Sequence, residues 1–164
     1  MAKTAEQTCE YKEMIKCIVT GGAGFIGSHL VEKLIKKNFS VLVIDNFSTG
    51  QIKNLEKVKD KVKVLKKDIS KSKNLSKYFK NVKYVFHLAA KADIVPSIEQ
   101  PNLYFDTNVK GTLNILEACR LNKVKKIIYA ASSSSYGIAK EYPTTEKSKN
   151  PIGGGRRQGA KPLG

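Results

Sequence analysis

Three of the four glycines in the segment TGGAGFIG, residues 20–27, are spaced so that a phosphate group can lie against the main chain. The segment follows the apolar run 15–19 and precedes the amphipathic stretch 28–35, which predicts a turn between a buried strand and a helix. We expect Gly22 to allow the tight turn, Gly24 to admit a pyrophosphate and Gly27 to let the helix pack closely on the sheet. The N–H groups at the helix start, around Phe25 and Ile26, would then face the phosphates. This arrangement predicts dinucleotide binding.

A carboxylate ends the next apolar run. Residues 41–44 are short, β-branched and unbroken, as is typical of a parallel strand buried on both faces. Asp45 follows them, about 20 residues beyond the glycines, where a carboxylate can accept hydrogen bonds from both ribose hydroxyls and repels a 2′-phosphate. The sequence therefore favours NAD over NADP.

Strand and helix patterns alternate along the chain. Strands are predicted at about 15–20, 40–45, 62–66, 84–88 and 126–130, and helices at about 25–37, 51–58, 72–80 and 101–121. Strict alternation predicts an α/β fold: a Rossmann-type doubly wound parallel sheet of five strands in the order 3-2-1-4-5, one strand short of six and so truncated at its C-terminal end. In the longest helix, apolar residues at helical spacing predict core packing; these are Val109, Leu113, Leu116, Ala118 and Cys119.

Composition excludes several classes of function. The net charge of +16, from 30 basic and 14 acidic residues, could indicate a nucleic-acid partner, but the lysines are spread over the polar faces of nearly every element and predict a solvated surface. The three cysteines, Cys9, Cys17 and Cys119, have no metal-ligand spacing, so no metal site is expected and Cys17 and Cys119 are interpreted as reduced core residues. Neither a leader nor a membrane-spanning run is visible, which predicts a cytoplasmic protein without a membrane partner.

The chain divides by composition into three parts. Residues 1–13 are predicted to be a disordered N-terminal extension, residues 14–152 an incomplete NAD-binding Rossmann domain, and residues 153–164 a disordered tail. The tail, GGGRRQGAKPLG, differs in composition from the rest of the chain. A frameshift and a vector-derived tail are the two explanations we consider for it.

Five motifs follow one another in order: TGGAGFIG at 20–27, DNFSTG at 45–50, HLAAKADIVPSIEQP at 87–101, TNVKGTLNILEAC at 107–119 and AASSSSYG at 130–137. Together they resemble the extended short-chain dehydrogenase/reductase superfamily. Within it, the chain is most similar to the N-terminal part of NAD-dependent nucleotide-sugar epimerases of the UDP-glucose 4-epimerase type. The resemblance runs from about residue 15 to about residue 152 and implies a UDP-sugar as the substrate.

The resemblance also implies which residues surround the dinucleotide. The pyrophosphate would lie at the glycine segment, the adenine ribose within 45–50, the adenine beside 68–69, and the rest of the cofactor along 88–91, with Asn108 near the nicotinamide half. The cofactor-binding residues so implied are Gly21, Gly24, Phe25, Ile26, Gly27, Asp45, Asn46, Phe47, Ser48, Thr49, Gly50, Asp68, Ile69, Leu88, Ala89, Ala90, Lys91 and Asn108.

In such enzymes the sugar is oxidised at C4 by NAD and then reduced from the other face. The resemblance implies that Ser132 is the catalytic serine that hydrogen-bonds the C4 oxygen. The family's base is a tyrosine with a lysine four residues later, which lowers the tyrosine pKa. That pair is missing where the resemblance requires it: Tyr136 and Lys140 lie before the expected helix, and Tyr142 is followed by Glu146. We therefore expect this chain to bind NAD weakly and not to turn over.

Two other readings stay open. A dTDP-glucose 4,6-dehydratase or UDP-glucuronate decarboxylase shares the glycine segment, but those enzymes carry acidic residues just after the catalytic serine, where this chain has Ser133 and Ser134. A non-catalytic NAD- or RNA-binding module is the third reading, from a different class. The resemblance further implies a homodimer built on the helix at about 101–121, whose partner helix lies beyond the resemblance, so a stable dimer of this chain alone is not expected.

Overall fold

The fold is a five-stranded sheet. The computed structural model describes residues 14–132 together with Pro143 and Thr145. The chain divides into two units, Met1–Tyr129 and Ala130–Gly164. The first unit contains a sheet of five parallel strands in the order β3-β2-β1-β4-β5. The predicted fold class and strand order are confirmed.

The elements of the first unit alternate as the patterns predict. The strands are β1 (Lys16–Thr20), β2 (Ser40–Asp45), β3 (Lys63–Lys66), β4 (Tyr84–His87) and β5 (Lys126–Tyr129). The α-helices are α1 (Phe25–Lys36), α2 (Ile94–Glu99), α3 (Pro101–Phe105) and α4 (Gly111–Leu121). Two 3₁₀ helices cover Ile52–Lys61 and Leu75–Phe79, and a π-helical segment, Asp106–Lys110, joins α3 to α4.

A core cluster covers each face of the sheet. Neighbouring residues of a strand point to opposite faces and so belong to different clusters. On one face, Val19 of β1 packs in a core cluster with Val31 of α1. On the other face, Ile18 of β1 packs in a second cluster with Phe79 and with Ile115 of α4. The central strands are therefore buried on two sides, which explains their unbroken apolar character.

Helix prediction was accurate in position and less so in type. The helix predicted at about 101–121 corresponds to α3, the π-helical segment and α4, which follow one another without a break. The segments predicted as helices at about 51–58 and 72–80 are 3₁₀ helices. Helix α2 was not predicted; its Pro96 lies in the first turn, where the missing N–H group is tolerated.

The prediction of core packing along the long helix was wrong for three residues. Ala118 and Cys119 are buried, but Val109, Leu113 and Leu116 are 53%, 56% and 44% exposed. The helix carries two apolar stripes, both at helical spacing, and only the stripe that includes Ala118 faces the sheet. Periodicity identifies a stripe but not the surface against which it packs.

Several sequence predictions lie outside the described residues. They concern the extension 1–13, the serines 133–135, the pairs Tyr136 with Lys140 and Tyr142 with Glu146, and the tail 153–164. Over the part of the chain that the structure describes, no helix combines the length and apolar character needed to cross a membrane.

Candidate dinucleotide-binding site

The glycine segment leaves β1 through a turn that begins one residue earlier than predicted. Gly21 has a φ of +69°, and a Cβ there would lie 2.8 Å from the main-chain nitrogen of Ala89. The tight turn therefore depends on Gly21, and its assignment to Gly22 was wrong. Gly22 is restricted instead by packing, because a Cβ there would lie 2.9 Å from both Cγ atoms of Val43.

Gly24 and Gly27 differ in how closely other atoms approach them. A Cβ at Gly27 would lie 2.1 Å from the Gly21 carbonyl oxygen, so Gly27 allows the start of the helix to pack closely on the glycine turn, rather than on the sheet as predicted. A Cβ at Gly24 would meet only that same oxygen, at 3.2 Å. Gly24 is thus less tightly restricted by packing than Gly21, Gly22 or Gly27, and beyond this one oxygen the space beside it is open.

Helix α1 begins at this turn. Its first internal hydrogen bond runs from Ser28 N–H to the Gly24 carbonyl, so the N–H groups of residues 25–27 have no helical partner. The side chains of Phe25 and Ile26 are 79% and 68% exposed. Their main-chain N–H groups, rather than their side chains, make this helix end attractive to an anion.

Asp45 connects β2 to the glycine turn. One carboxylate oxygen accepts the N–H of Ala23 at 2.9 Å and the other accepts the N–H of Phe47 at 2.8 Å, and the residue is only 7% exposed. A carboxylate has about four acceptor positions, so each oxygen retains one for a ribose hydroxyl. The sequence indicated the ribose role but not the structural one.

The loop after β2 closes over Ala23. The Ala23 carbonyl accepts the N–H of Gln51 at 3.0 Å and the Asn54 side-chain amide at 2.8 Å. A Cβ at Gly50 would lie 2.9 Å from the Ala23 carbonyl carbon. Gly50 therefore serves the packing of this loop against the glycine turn.

Asp68, after β3, is held by its neighbours. Its carboxylate accepts both the N–H and the hydroxyl of Ser70, at 2.9 and 2.6 Å, and the Asn46 amide at 3.3 Å. Partial burial opposes the charged form, but these hydrogen bonds and the nearby Lys71 outweigh it, so the pKa of Asp68 lies below its usual value. Asn46 thereby ties the loop after β2 to the loop after β3.

These loops border one crevice at the carboxyl ends of β1, β2 and β4. Of the predicted cofactor-binding residues, the crevice is lined by Gly21, Gly24, Asp45, Asn46, Ser48, Thr49, Ile69, Leu88, Ala89, Ala90 and Lys91. Seven of the predicted residues do not line it: Phe25, Ile26, Gly27, Phe47, Gly50, Asp68 and Asn108. The position is where the strand order reverses, which is the general ligand site of doubly wound sheets.

Three lining residues were missed: Ile44, Lys67 and Thr107. Ile44 and Lys67 sit at the carboxyl ends of β2 and β3, a position that by itself could have indicated them. Lys67 donates its main-chain N–H to the Asp45 carbonyl at 2.9 Å, and so lies directly beside Asp45. It adds a cation that the motifs did not reveal.

Asn108 does not line the crevice but holds segment 88–91, which lines it and is called the crevice wall below. Its side-chain oxygen accepts the Lys91 N–H at 2.8 Å, and its amide donates to the Lys91 carbonyl at 2.9 Å. Both ends of the side chain are thus engaged with one main-chain residue. The residue positions the segment 88–91 rather than presenting an amide to the crevice.

A buried histidine, His87, directly precedes segment 88–91 at the end of β4. His87 is 1% exposed; its Nδ1 is 2.6 Å from the Thr20 hydroxyl and its Nε2 is 3.0 Å from the Thr112 hydroxyl. The ring of Tyr129 stacks on it, with ring centroids 5.7 Å apart. Burial lowers the pKa of His87 to about 4, so the ring is neutral at pH 7.

Ser132 belongs to the second unit, Ala130–Gly164, and is exposed. Its catalytic role stays a prediction. The buried thiols Cys17 and Cys119 lie in the two cores, and burial raises their pKa values to about 12 and about 11. Within residues 14–132, Pro143 and Thr145, no group of three His, Cys, Asp or Glu side chains is placed to hold a metal ion.

A doubly wound domain with a glycine turn, a β2 carboxylate and a crevice at the strand ends defines a dinucleotide-binding class of protein. Residues 18–152 match the family model described as GDP-mannose 4,6 dehydratase. The chain belongs to this family of NAD-dependent epimerases and dehydratases, within the extended short-chain dehydrogenase/reductase superfamily. Its predicted similarity to UDP-glucose 4-epimerases is confirmed.

Two curated relatives illustrate the similarity. A putative UDP-glucose 4-epimerase of Methanocaldococcus jannaschii is 41% identical over 132 residues, covering 79% of this chain and 42% of the relative. A UDP-N-acetyl-alpha-D-glucosaminuronate decarboxylase of Bacillus cytotoxicus is 38% identical over 122 residues, covering 74% of this chain and 38% of the relative. The chain therefore spans about two fifths of the length of these relatives.

Solved structures agree with the fold. The UDP-N-acetylglucosamine 4-epimerase of Methanobrevibacter ruminantium, in complex with UDP-N-acetylmuramic acid, superimposes with a TM-score of 0.74 at 37% identity, covering 84% of this chain and 44% of that one. The UDP-glucose 4-epimerase of Bifidobacterium longum, in complex with NAD⁺ and UDP, gives a TM-score of 0.73 at 32% identity, covering 85% and 45%.

Proposed function

We propose that the domain formed by the first unit binds NAD in the crevice between the glycine turn and segment 88–91. The observation that carries this proposal is Gly24. It is the glycine of the turn that packing restricts least, since a Cβ would meet one atom, at 3.2 Å, and a side chain there would enter the crevice that Gly24 lines. A pyrophosphate is the ligand that uses both this space and the helix N-terminus.

The chain's residues have separate parts in this binding. The N–H groups at the start of α1 hold the pyrophosphate, and the remaining acceptor positions of Asp45 hold the adenine ribose. The same carboxylate disfavours a 2′-phosphate, which selects NAD over NADP. Segment 88–91 forms the wall on the nicotinamide side. When bound, NAD supplies a reversible hydride acceptor.

We further propose that the activity is that of a nucleotide-sugar 4-epimerase acting on a UDP-sugar, through oxidation and reduction at C4. The similarity to epimerases of M. jannaschii and M. ruminantium supports this activity. The similarity to the B. cytotoxicus decarboxylase supports decarboxylation of a UDP-sugar acid as the second candidate. Both candidates begin with oxidation of the sugar by NAD, so they place the same demand on the crevice.

Cofactor binding is tested by isothermal titration of the 164-residue chain with NAD and with NADP. NAD is expected to bind more tightly than NADP, and Gly24→Ala to weaken NAD binding at least tenfold while losing less unfolding free energy than Gly27→Ala, whose Cβ contact is much shorter. Absence of NAD binding by the folded chain would contradict the proposal, as would unchanged affinity in Gly24→Ala. Folding is followed in parallel by circular dichroism.

Selectivity is tested with Asp45→Asn, and Asp60→Asn serves as a matched control because Asp60 is exposed on the 3₁₀ helix after β2. The quantity compared is the ratio of the NAD and NADP dissociation constants, which is independent of the folded fraction because both ligands bind the same folded molecules. Asp45→Asn should reduce the preference for NAD, that is, the dissociation constant for NADP divided by that for NAD, and Asp60→Asn should leave it unchanged. Equal ratios in the two variants would exclude Asp45 from ribose selection.

The activity is tested on the full-length product of the gene that encodes this chain. Incubation with UDP-glucose and NAD should yield the C4 epimer, detected by nucleotide-sugar chromatography. Release of carbon dioxide from a UDP-sugar acid would instead support the second candidate. A 4-keto-6-deoxy product would contradict both and support a dehydratase.

A further inference from the structure

The hydrogen bonds around His87 allow only one assignment of donors and acceptors. The Thr112 hydroxyl lies 2.6 Å from the Asn108 carbonyl, which can only accept, so the single hydroxyl proton of Thr112 is donated there. The Thr112 oxygen must then accept from His87 at 3.0 Å, which places the ring proton on Nε2. Because the neutral ring carries one proton, Nδ1 is an acceptor for the Thr20 hydroxyl at 2.6 Å.

The chain continues at both ends into the same segment of the crevice wall. The Thr20 oxygen accepts the Ala89 N–H at 3.3 Å. At the other end, the Asn108 side chain binds the N–H and the carbonyl of Lys91, at 2.8 and 2.9 Å. Ala89 and Lys91 both line the crevice. The contacts that begin at His87 therefore end on two residues of segment 88–91: on Ala89 through Thr20, and on Lys91 through Thr112 and Asn108.

We propose that His87 is a positioning residue whose two ring nitrogens close a circuit of contacts, Ala89–Thr20–His87–Thr112–Asn108–Lys91, that fixes the crevice wall for the dinucleotide. Every link of this circuit is a hydrogen bond except the passage from main chain to side chain within Asn108, which is covalent. This inference rests on the proposed NAD binding. His87 does not line the crevice, so it acts through Ala89 and Lys91 rather than by contact.

The circuit adds polar contacts at this edge to three elements that strand pairing and the second core cluster already hold together. Thr20 ends β1, His87 ends β4, and Thr112 and Asn108 lie on α4 and the π-helical segment before it. Each contact buries a polar group that is costly to leave without a partner. One ring thus holds the turn-bearing strand, the wall and the helix in a single arrangement, and loss of any member should loosen the wall at Ala89 or at Lys91.

The deciding variants are Thr112→Val and Thr112→Ser, because valine keeps the shape without the hydroxyl and serine restores it. Asn122→Ala is the matched control: the Asn122 amide binds the main chain of Ser76 and Ala118, both at 2.9 Å, away from the crevice. The measurements are the unfolding free energy and the NAD dissociation constant of each variant of the 164-residue chain.

Thr112→Val should weaken NAD binding by up to about tenfold, the limit at which the whole free energy of one buried hydrogen bond is lost from the binding-competent arrangement, while Thr112→Ser returns close to the parent. Asn122→Ala should lose stability and keep its NAD affinity. If Thr112→Val is destabilised like Asn122→Ala but binds NAD as the parent does, His87 and Thr112 are merely structural and the proposal is overturned.

A second measurement needs no variant. Nitrogen NMR of the imidazole should show the Nε2-protonated tautomer at pH 7, and the Ala89 and Lys91 amides should exchange slowly with solvent. An Nδ1-protonated ring, or fast exchange at both amides, would overturn the circuit. If NMR shows the circuit but the parent chain binds no NAD, the proposed NAD binding is wrong. The hydrogen bonds of the circuit are then still confirmed, but their role in positioning the dinucleotide is overturned.

Discussion

Lowering the pH should unfold this domain through His87. Burial lowers the pKa of this ring in the folded chain to about 4, against 6.5 as its ordinary value. Between these two values the unfolded chain binds a proton that the folded chain does not, so stability falls as the pH falls from 6.5 towards 4. The contribution is fully present above pH 6.5 and is lost at about pH 4.

The size of the effect follows from the difference in pKa. Each pKa unit corresponds to about 1.4 kcal/mol, so the full effect is about 3 kcal/mol, and about 2 kcal/mol of it falls between pH 7 and pH 5. Protonation also converts Nδ1 from an acceptor into a donor, which removes the partner of the Thr20 hydroxyl. Both consequences act in the same direction.

The assay is urea unfolding of the parent chain and of His87→Asn at pH 7, 6 and 5. Carboxylates such as Asp68 are present in both proteins, so their contributions cancel in the difference. The stability advantage of the parent should shrink by about 2 kcal/mol between pH 7 and pH 5. Parallel curves for the two proteins would refute the reasoning, as would an imidazole that titrates near pH 6.5 by NMR in the folded chain.

Three further predictions concern the glycine turn, the core and the crevice. Gly27→Ala should cost about 3 kcal/mol or more of unfolding free energy, because its Cβ would lie 2.1 Å from the Gly21 carbonyl oxygen; a stability equal to the parent's in urea would contradict it. Phe79→Ala should cost about 3–5 kcal/mol because Phe79 is fully buried, whereas Phe25→Ala, at a side chain 79% exposed, should stay within about 0.5 kcal/mol; similar losses in the two variants would count against this packing. Lys67→Met should weaken NADP more than NAD in isothermal titration, since NADP carries an additional phosphate; an equal loss would place Lys67 away from that group.

The sheet and the outline of the crevice could be predicted because each depends on a pattern that is local in sequence. The apolar runs of β1 and β2 are buried on both faces, which produces unbroken hydrophobicity, and Asp45 is identified by its place at the end of β2. The turn residue could not be assigned between Gly21 and Gly22, because the choice depends on a backbone angle that neighbouring glycines permit equally.

Side-chain contacts to the main chain escaped prediction for a related reason, even at residues that the sequence had singled out. Asp45 holds Ala23, and Asn108 holds Lys91, by contacts to N–H and carbonyl groups that every residue type carries. No pairing of side-chain types in the sequence reveals such a bond. The exposed stripe of Val109 and Leu113 was misjudged for the opposite reason, because its pattern is the same as that of the buried stripe.

The polar residues of the helical stretch 106–121 acquire a common explanation from the loops they reach. Asn and Thr are poor choices inside a helix unless their side chains have partners elsewhere. Asn108 binds the main chain of Lys91, and the Asn114 amide donates to the Ile69 carbonyl at 2.8 Å. Lys91 and Ile69 both line the crevice. One rigid helical stretch therefore sets the separation of the two loops between which a dinucleotide must fit.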